Sequence, residues 1–585
     1  MQSRVKEQTA PAVGPAHAGQ RRWIVAPPEE LNGGPIPWSE ICGPASIARL
    51  LLRMGFATAQ DVEAFLRPRL KTLSDPFLLP NMQAAVARIF AALDRQERIV
   101  LFGDYDVDGV TSLALLAEML HAYGAAPGLF LPLRMEEGYG LSRESIERCL
   151  DRYHPQLLIA LDCGTSSRTE IANLKQRGVD VIVLDHHQPP AAAALPECVA
   201  LVNPKIDPES PLHYLCSVGV VFKLCHALLK RRPLEQFDLK SKLDLVALGT
   251  VADIVPLRGE NRILVQHGSM EIAKSTRPGL KKLMEVSGIR PPIATEDIGF
   301  RLGPRLNAAG RLSTAEKSLR LLLTTDEAEA ATLAEFLDKQ NRERQEVERA
   351  IVASAEERIE SEFDHQRDAA IVVAARGWHP GVLGIVASRI SRRYHRPTIV
   401  IGFDENGTGK GSGRGIEGLN FVEALRRCAD KLEKYGGHEM AAGLSIREEN
   451  IDLFSEAFRR AARELLSDED LQPRLRLDHE LTFSELNHNF LNWHEKLQPF
   501  GNGNPHPLFL AREVEPARPP KVAKDKHLML SLRQRSYHRR AVYFNAASEP
   551  LPPSPWDIAF RISAGQYEGE TLLDMQIEAI RQAEA

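Results

Sequence analysis

The sequence predicts a multidomain α/β protein: a parallel-sheet domain, then a long connector helix, a smaller α/β domain and a small C-terminal β-barrel. Three observations carry this expectation. Short apolar runs at Arg98–Gly103, Leu157–Leu161 and Val181–Leu184 each pass directly into ionisable residues, as central parallel strands do when they deliver side chains to the crevice at their carboxyl ends. Residues 326–362 form a long charged run in which Glu alternates with Arg and Lys around apolar residues at helical spacing. From about Asp468 the pattern changes to short alternating segments punctuated by Pro and Gly.

In chain order, residues 1–21 are rich in Ala, Pro, Gly and polar side chains, lack the apolar stretch of a signal peptide, and read as a disordered tail. Helical patterns over Pro44 to Met54, Ala59 to Leu66 and Asn81 to Gln96 lead into the first motif strand. Gly109–Leu120 has helical apolar spacing, so strand, helix and strand follow one another, and a right-handed crossover sets the strands parallel in one sheet. A strand at Gly128 to Leu131 precedes a Gly-broken loop from Arg134 to Leu141. Ser217–Leu229 and Asp244–Ala252 are mostly apolar helices expected to pack over the sheet, the second ending at Asp253. The first domain is expected over 22–323 and a stiff connector helix over 324–365. A second α/β domain follows over 366–467: strands at 369–375 and 398–403, a helix at 384–394, a Gly-rich segment at 407–415, and a helix at 421–435 stopping before Gly436-Gly-His438. Residues 468–585 offer strands at 528–532, 540–544, 556–560 and 571–577, for which an OB-fold is the best match.

A chain of 585 residues accommodates several domains of roughly 100–200 residues each. Its 43% hydrophobic and 26% charged residues are those of a soluble globular protein. A net charge of -5 with a pI near 6.4 does not exclude nucleic-acid binding, because a groove needs only local positive potential. Seven cysteines without a C-x-x-C pair argue against a zinc ribbon or disulfide framework and fit a reducing cytosol. No apolar run approaches the roughly 20 residues that span a bilayer, so a cytoplasmic protein with no membrane role is expected.

Gathering Asp104, Asp106, Asp108, Asp162, Asp185, His186 and His187 at one sheet edge is costly unless a cation neutralises the carboxylates, which points to a metal site. Any one of these acids alone is more simply a loop or helix cap, and His186 alone a core histidine. Three clusters at three strand ends are not so explained. Carboxylates with an imidazole and without thiolates suit Mn²⁺ or Mg²⁺ better than zinc. In the last region, Arg533, Arg535, Arg539 and Arg540, with Lys521, Lys524 and Lys526, give local positive charge, and Tyr537, Tyr543 and Phe544 are candidates for base stacking.

Asp104-Tyr-Asp-Val-Asp-Gly, Asp162, Asp185-His-His and Gly249-Thr-Val-Ala-Asp253, in that order, resemble the four motifs of the DHH phosphoesterase superfamily. Downstream, Gly303-Pro-Arg-Leu-Asn-Ala-Ala-Gly-Arg311, Trp378–Arg389, Gly411-Ser-Gly-Arg-Gly415 and Gly436–Gly443 are similar to one branch, the RecJ single-strand-specific exonucleases, and the resemblance runs from about Trp23 to the final strands. It implies a metal-dependent hydrolase that degrades single-stranded DNA from its 5′ end to mononucleotides in DNA repair and recombination. The polarity comes from the resemblance alone. It further implies that Asp106, Asp162, His186 and Asp253 hold one Mn²⁺ or Mg²⁺, that Asp104 with Asp162 serves a second, and that His187 faces the phosphate or leaving group. Asp108 would hold water or brace the Asp104 loop, and Asp185 would orient His186 from behind. Some relatives carry a histidine two positions before the first aspartate, where this chain has Phe102, which bears on the second metal.

Substrate grip is expected from Arg134, from Arg305, Asn307 and Arg311 in a Gly-containing loop, and from Ser412, Arg414 and His438, with the Gly-rich segment offering backbone N–H groups to a terminal phosphate. The implied partners are single-stranded DNA, a single-strand-binding protein and a recombination helicase. Two other classes share the motifs. A DHH phosphodiesterase of short oligonucleotides or cyclic dinucleotides usually lacks the basic extension after Asp468, and a non-catalytic Cdc45-like scaffold is expected to have lost ligands that are all present here.

Overall fold

The computed structural model of the chain describes residues 21–584 apart from 28–30, 32–35, 134–136, 138–139, 191, 313, 365–366 and 568–569. They fall into two compact units, one formed by 64–343 with 498–505, the other by 344–497, 506–584 and the residues before 64.

The first unit is built on a five-stranded parallel sheet, ordered Gly128–Phe130, Ile99–Gly103, Leu157–Leu161, Asp180–Leu184, Ala200–Val202. Both faces are covered, which is why these strands read as unbroken apolar runs. Ile99, Leu101, Ile159 and Ile182 face a core made with the helices Met82–Asp94, Val107–Ala122, Ser217–Arg231 and Leu243–Ala252. The alternate residues Val100, Phe102, Leu158 and Val183 face Ile146, Leu150, Ile171 and Leu174 on the helices Arg143–Tyr153 and Arg168–Gln176. The second strand in sequence lies on one side of the first and the third on the other, so the carboxyl ends of Ile99–Gly103 and Leu157–Leu161 flank a topological switch point, where open α/β sheets bind ligands. The strand Ala200–Val202, too short to stand out in sequence, extends this edge. Gly303–Leu312, expected as a loop, is a helix, because Leu306, Ala308 and Ala309 bury one of its faces. The long charged run is one helix, Glu327–Glu362, about 54 Å long at 1.5 Å per residue.

In the second unit a sheet runs in the order Lys434–His438, Ala441–Arg447, Thr408–Arg414, Thr398–Phe403, Ile371–Arg376, the last pair parallel and the others antiparallel. Two expectations are corrected here. The Gly-rich segment is not a loop but the strand Thr408–Arg414, hydrogen-bonded on both edges; a Cβ on Gly413 would lie 2.3 Å from the Phe421 ring, so glycine is there for close packing. The helix expected over 421–435 stops at Arg426, because Lys434–His438 pairs with the strand beside it, and tertiary pairing outweighs a weak helical pattern.

The C-terminal barrel consists of Phe509–Ala523, His527–Gln534, Tyr537–Tyr543, Trp556–Tyr567 and Glu570–Gln582, and the pairing of the first with Trp556–Tyr567 closes it. Its first strand escapes sequence reading because Pro516, Pro519 and Pro520 interrupt it, and the register shifts beside them. Arg22–Val25 pairs in parallel with Arg474–Leu477, so this strand joins the second unit instead of the 22–323 block in which it was expected.

Candidate metal centre

Each motif residue just beyond its strand is still held by the next strand. The Asp104 N–H donates to Leu161 O (3.2 Å), the Asp162 N–H to Leu184 O (2.9 Å), and the Asp185 N–H to Val202 O (3.1 Å). That ladder brings the three clusters to one edge. Asp162 has a φ of 63°, a left-handed backbone that Asp tolerates better than most residues and that costs of order 1 kcal/mol.

His186 lies at the focus and is buried. Its Nε2 is 3.4 Å from Asp253 Oδ2, 3.5 Å from Asp162 Oδ1 and 3.8 Å from Asp108 Oδ2. Neither ring nitrogen has a hydrogen-bond partner among the described residues. Ligand atoms of Asp104, Asp106 and Asp162 form an adjoining group within 4.8 Å of one another, so Asp162 is common to both. A buried imidazole without partners, ringed by carboxylate oxygens, is a donor set that fits a divalent cation.

Local chemistry fixes each acid. Asp106 caps the helix Val107–Ala122, its Oδ1 accepting the N–H groups of Asp108 (3.0 Å) and Gly109 (3.1 Å). Asp108 accepts the Ser217 N–H (2.7 Å) and Val218 N–H (2.8 Å), so it braces the start of the helix Ser217–Arg231 rather than the Asp104 loop. Ser217 Oγ donates to Asp162 Oδ1 (2.8 Å). Asp253 is the C-terminal cap of Leu243–Ala252. Gly249, in that helix, sits where a Cβ would lie 2.5 Å from Thr111 Oγ, 2.7 Å from Val218 and 3.0 Å from Asp108 Oδ1. Gly249→Ala is therefore expected to destabilise the fold by about 1–3 kcal/mol through overpacking, read as an earlier urea midpoint; an unchanged midpoint would show that the helices separate freely.

One expectation is reversed. Asp185 does not orient His186: its Oδ1 accepts from His187 Nδ1 (2.8 Å) and from the N–H groups of His186 (2.7 Å) and His187 (3.1 Å), while Oδ2 takes the Thr165 N–H (3.0 Å). A short side chain that folds back onto the N–H two residues ahead reaches residue 187, not the ring of 186. His187 is thus oriented with its proton on Nδ1, while the His186 ring makes no hydrogen bond with Asp185 among the described residues.

The electrostatics follow from crowding. Burial, then the charge of Asp106, pushes Asp108 up to about 7 against the hydrogen bonds from Val218 and Ser217. Burial, then Asp108 and Asp106, pushes Asp253 up to about 9, and burial with four neighbouring aspartates raises Asp162 well above the carboxylate range. His186 is lowered to about 3 by burial and by the His187 charge, so the ring is neutral and one of its nitrogens keeps a lone pair for a cation. For Asp185 burial works upward, but the His187 hydrogen bond and charge outweigh it and hold the carboxylate ionised.

Sequence reading missed Ser217, Asn203 and Lys205. Asn203 Nδ2 donates to His187 O (2.9 Å) and Thr165 Oγ1 (3.0 Å), and its Oδ1 accepts the Lys205 N–H (2.9 Å). Burial lowers the Lys205 ammonium, while the carboxylates of Asp253 and Asp185 pull it upward. The available signal was Asn203-Pro-Lys205 after an apolar triplet, the same strand-end pattern as the other motifs.

Of the expected substrate residues, Arg134 and the side chain of Arg311 lie outside the described residues. Asn307 Oδ1 accepts the Val107 N–H (3.1 Å) and so supports the first motif helix. Arg305 donates to Asp338 Oδ1 (2.9 Å) and Arg301 O (2.7 Å), which leaves it less free to grip phosphate. In the other unit, Arg414 donates to Gly413 O (2.7 Å) and Ser412 Oγ (3.2 Å), and burial lowers its pKa. A Cβ on Gly384, in the first turn of the helix Leu383–Tyr394, would lie 2.9 Å from the Arg414 guanidinium and 3.0 Å from Ser412 Oγ. A half-buried cation, a hydroxyl and a helix N-terminus converge there, a natural anion cradle. His438 is exposed on the edge strand Lys434–His438. On the barrel, Arg533 is paired with Glu515, Arg540 with Asp574 (3.6 Å), and Arg539 donates to Phe483 O (2.7 Å) and Leu486 O. Tyr543 is buried and Phe544 packs edge-on against His527, while Lys521, Lys524, Lys526, Arg535 and Tyr537 are exposed together with the acid-paired Arg533 and Arg540.

Family models match in three places: the DHH family N-terminal domain at 98–250, the DHHA1 domain at 368–464 and the RecJ OB domain at 477–579. The single-stranded-DNA-specific exonuclease RecJ of Salmonella typhimurium is 38% identical over 489 residues, 80% of this chain and 83% of that protein. RecJ of Bacillus subtilis is 38% identical over 503 residues, and the chain spans 63% of its length. Among solved structures, Thermus thermophilus RecJ in complex with Mn²⁺ is similar with a TM-score of 0.81 and 32% identity, over 97% of this chain and 80% of that one. With the ordered motifs, the acid-ringed histidine and all three domain types in one polypeptide, the chain belongs to the RecJ family.

Proposed function

We propose that this chain is a metal-dependent exonuclease that hydrolyses single-stranded DNA from its 5′ end and releases mononucleotides. The observation that carries the reading is His186, buried, without hydrogen-bond partners among the described residues, and within 3.8 Å of oxygens from Asp108, Asp162 and Asp253. The RecJ-type barrel in the same chain favours long single strands over cyclic dinucleotides as substrate. Asp162, His186 and Asp253, with Asp106 and Asp104 beside them, are the residues that would hold Mn²⁺ or Mg²⁺. A divalent cation held there lowers the pKa of water and withdraws charge from phosphoryl oxygens. Asp185 fixes the His187 ring in place to meet the phosphate or the leaving oxygen, Ser217 and Asn203 lock the positions of Asp162 and His187, and Lys205 adds positive charge beside Asp253. Ser412 and Arg414 are the candidates for a 5′-phosphate. A single-strand-binding protein and a recombination helicase are the protein partners that this reading anticipates. Among the described residues no helix is long and apolar enough to cross a membrane.

The direct test is a time course on 5′-phosphorylated single-stranded and duplex DNA with and without Mn²⁺; degradation of the duplex at the single-strand rate, or full activity in chelator, would refute the reading. A pH signature accompanies it. Because the folded carboxylates of Asp108 and Asp253 titrate near 7 and 9, above their unfolded values, the metal-free fold binds more protons than the unfolded chain and loses stability as pH rises through that range. Metal binding displaces those protons. The increase in melting temperature on adding Mn²⁺ is therefore expected to be larger at pH 8 than at pH 6, and an equal or smaller increase at pH 8 would contradict the cluster as metal site.

A further inference from the structure

Ile254, the residue after Asp253, has the backbone least suited to its side chain. Its φ is 59°, in the left-handed region that β-branched residues rarely enter, and at 68% it is the most exposed large apolar residue among those described. A strained backbone and an apolar side chain in water both oppose folding, and such combinations persist where surrounding structure over-determines them.

Here the hold comes from Gln498–Pro505, a loop that leaves the barrel-bearing unit and packs with residues 64–343. Asn502 Nδ2 donates to Ile254 O (2.6 Å), and Asn502 O accepts the Leu257 N–H (2.7 Å), so one residue bridges both ends of the turn Ile254-Val-Pro-Leu257. Glycine permits the approach: a Cβ on Gly503, whose φ is 73°, would lie 2.9 Å from Pro256 Cβ, and one on Gly501 2.7 Å from Leu257. The loop is itself anchored, since Arg262 donates to Gln498 O (2.6 Å) and Thr295 Oγ1 to Phe500 O (2.6 Å). Nothing in this arrangement buries Ile254. It presents it.

We propose that Ile254 is a substrate-contacting residue whose side chain packs on the apolar face of the nucleotide next to the phosphodiester being cut, and that Asn502 is the positioning residue that holds it there. The inference rests on the hydrolase reading given above. The carboxylates and any cation they hold engage only the phosphate; an apolar shelf one residue from Asp253 engages the sugar carbons or base and fixes the reacting group relative to that carboxylate.

The test uses the full chain and a 5′-phosphorylated oligothymidylate. Asn accepts a left-handed backbone, so Ile254→Asn removes the shelf and keeps the turn. KM is expected to rise about tenfold, as for loss of an apolar contact, with kcat changed less than about threefold and the Mn²⁺ concentration for half-maximal rate unchanged. Affinity for the same strand in Ca²⁺, read by fluorescence anisotropy, should fall by a similar factor. Asn502→Ala is expected to raise KM and also the Mn²⁺ requirement, because it frees the turn that follows Asp253. An Ile254→Asn chain with wild-type KM and wild-type affinity in Ca²⁺ overturns the contact. So does unchanged KM with lower kcat and a raised Mn²⁺ requirement, which would make Ile254 a spacer for Asp253. If the wild-type chain itself leaves the strand intact, the hydrolase reading fails, and the anisotropy measurement in Ca²⁺ still decides the contact.

Discussion

Replacing Asp162 with asparagine is expected to lower hydrolysis of a 5′-phosphorylated single strand at least about a thousandfold, roughly 4 kcal/mol in barrier terms. Asp162 belongs both to a group with His186 and His187 and to the group with Asp104 and Asp106, so its loss weakens either metal position. Asparagine is the informative substitution, because the φ of 63° suits it far better than alanine and its amide oxygen can still accept from Ser217. The fold should not suffer: burial and four neighbouring aspartates disfavour this charge, so in chelator the variant is expected to melt at or above the wild-type temperature, while the gain in melting temperature with Mn²⁺ shrinks. Activity within about tenfold of wild type, or only ~1.4 kcal/mol lost, would sink the assignment of Asp162.

Arg414→Ala is expected to erode the preference for 5′-phosphorylated over 5′-hydroxyl ends by about tenfold or more, the scale of a buried charge-assisted hydrogen bond to phosphate. The guanidinium is half-buried and has no carboxylate partner among the described residues, a state that an anion relieves. Ser412 and the helix start at Leu383–Tyr394 would then retain a residual preference. Lysine should restore only part of the loss, since it offers a point charge in place of a planar fork. Rates on both kinds of end, compared between variants, check this. An unchanged ratio would mean that the end is read elsewhere, with Arg134 the first alternative.

What sequence made legible and what it hid have separable causes. Asp104, Asp162 and Asp185-His-His could be placed at one sheet edge because a buried strand is readable as an apolar run, and a right-handed crossover fixes where its end must lie. The connector helix and the barrel were legible from periodicity and punctuation. Pairing of side chains was not: Asp185 engages His187 instead of His186 because of a local turn whose geometry no spacing rule encodes. Ser217, Asn203 and Lys205 escaped because each acts on residues between 16 and 55 positions away along the chain. The Gly-rich segment looked like a phosphate-binding loop, since composition does not tell glycines that give a backbone freedom from glycines that make room for Phe421 and Leu444. The four barrel arginines looked equivalent, yet Arg533 and Arg540 pair with acids and Arg539 caps carbonyls, roles set by strand register.

Because Gln498–Pro505 packs with the unit that otherwise ends at residue 343, that unit is discontinuous in sequence. During synthesis at roughly 5–20 residues per second, the loop emerges on the order of ten seconds after the rest of its unit. Until then Asn502 cannot bridge the Ile254 turn, and a nascent or prematurely terminated chain carries every acid of the centre without that bridge. Synthesis thus imposes an order of events in which the contact that closes the Ile254 turn forms last within its unit.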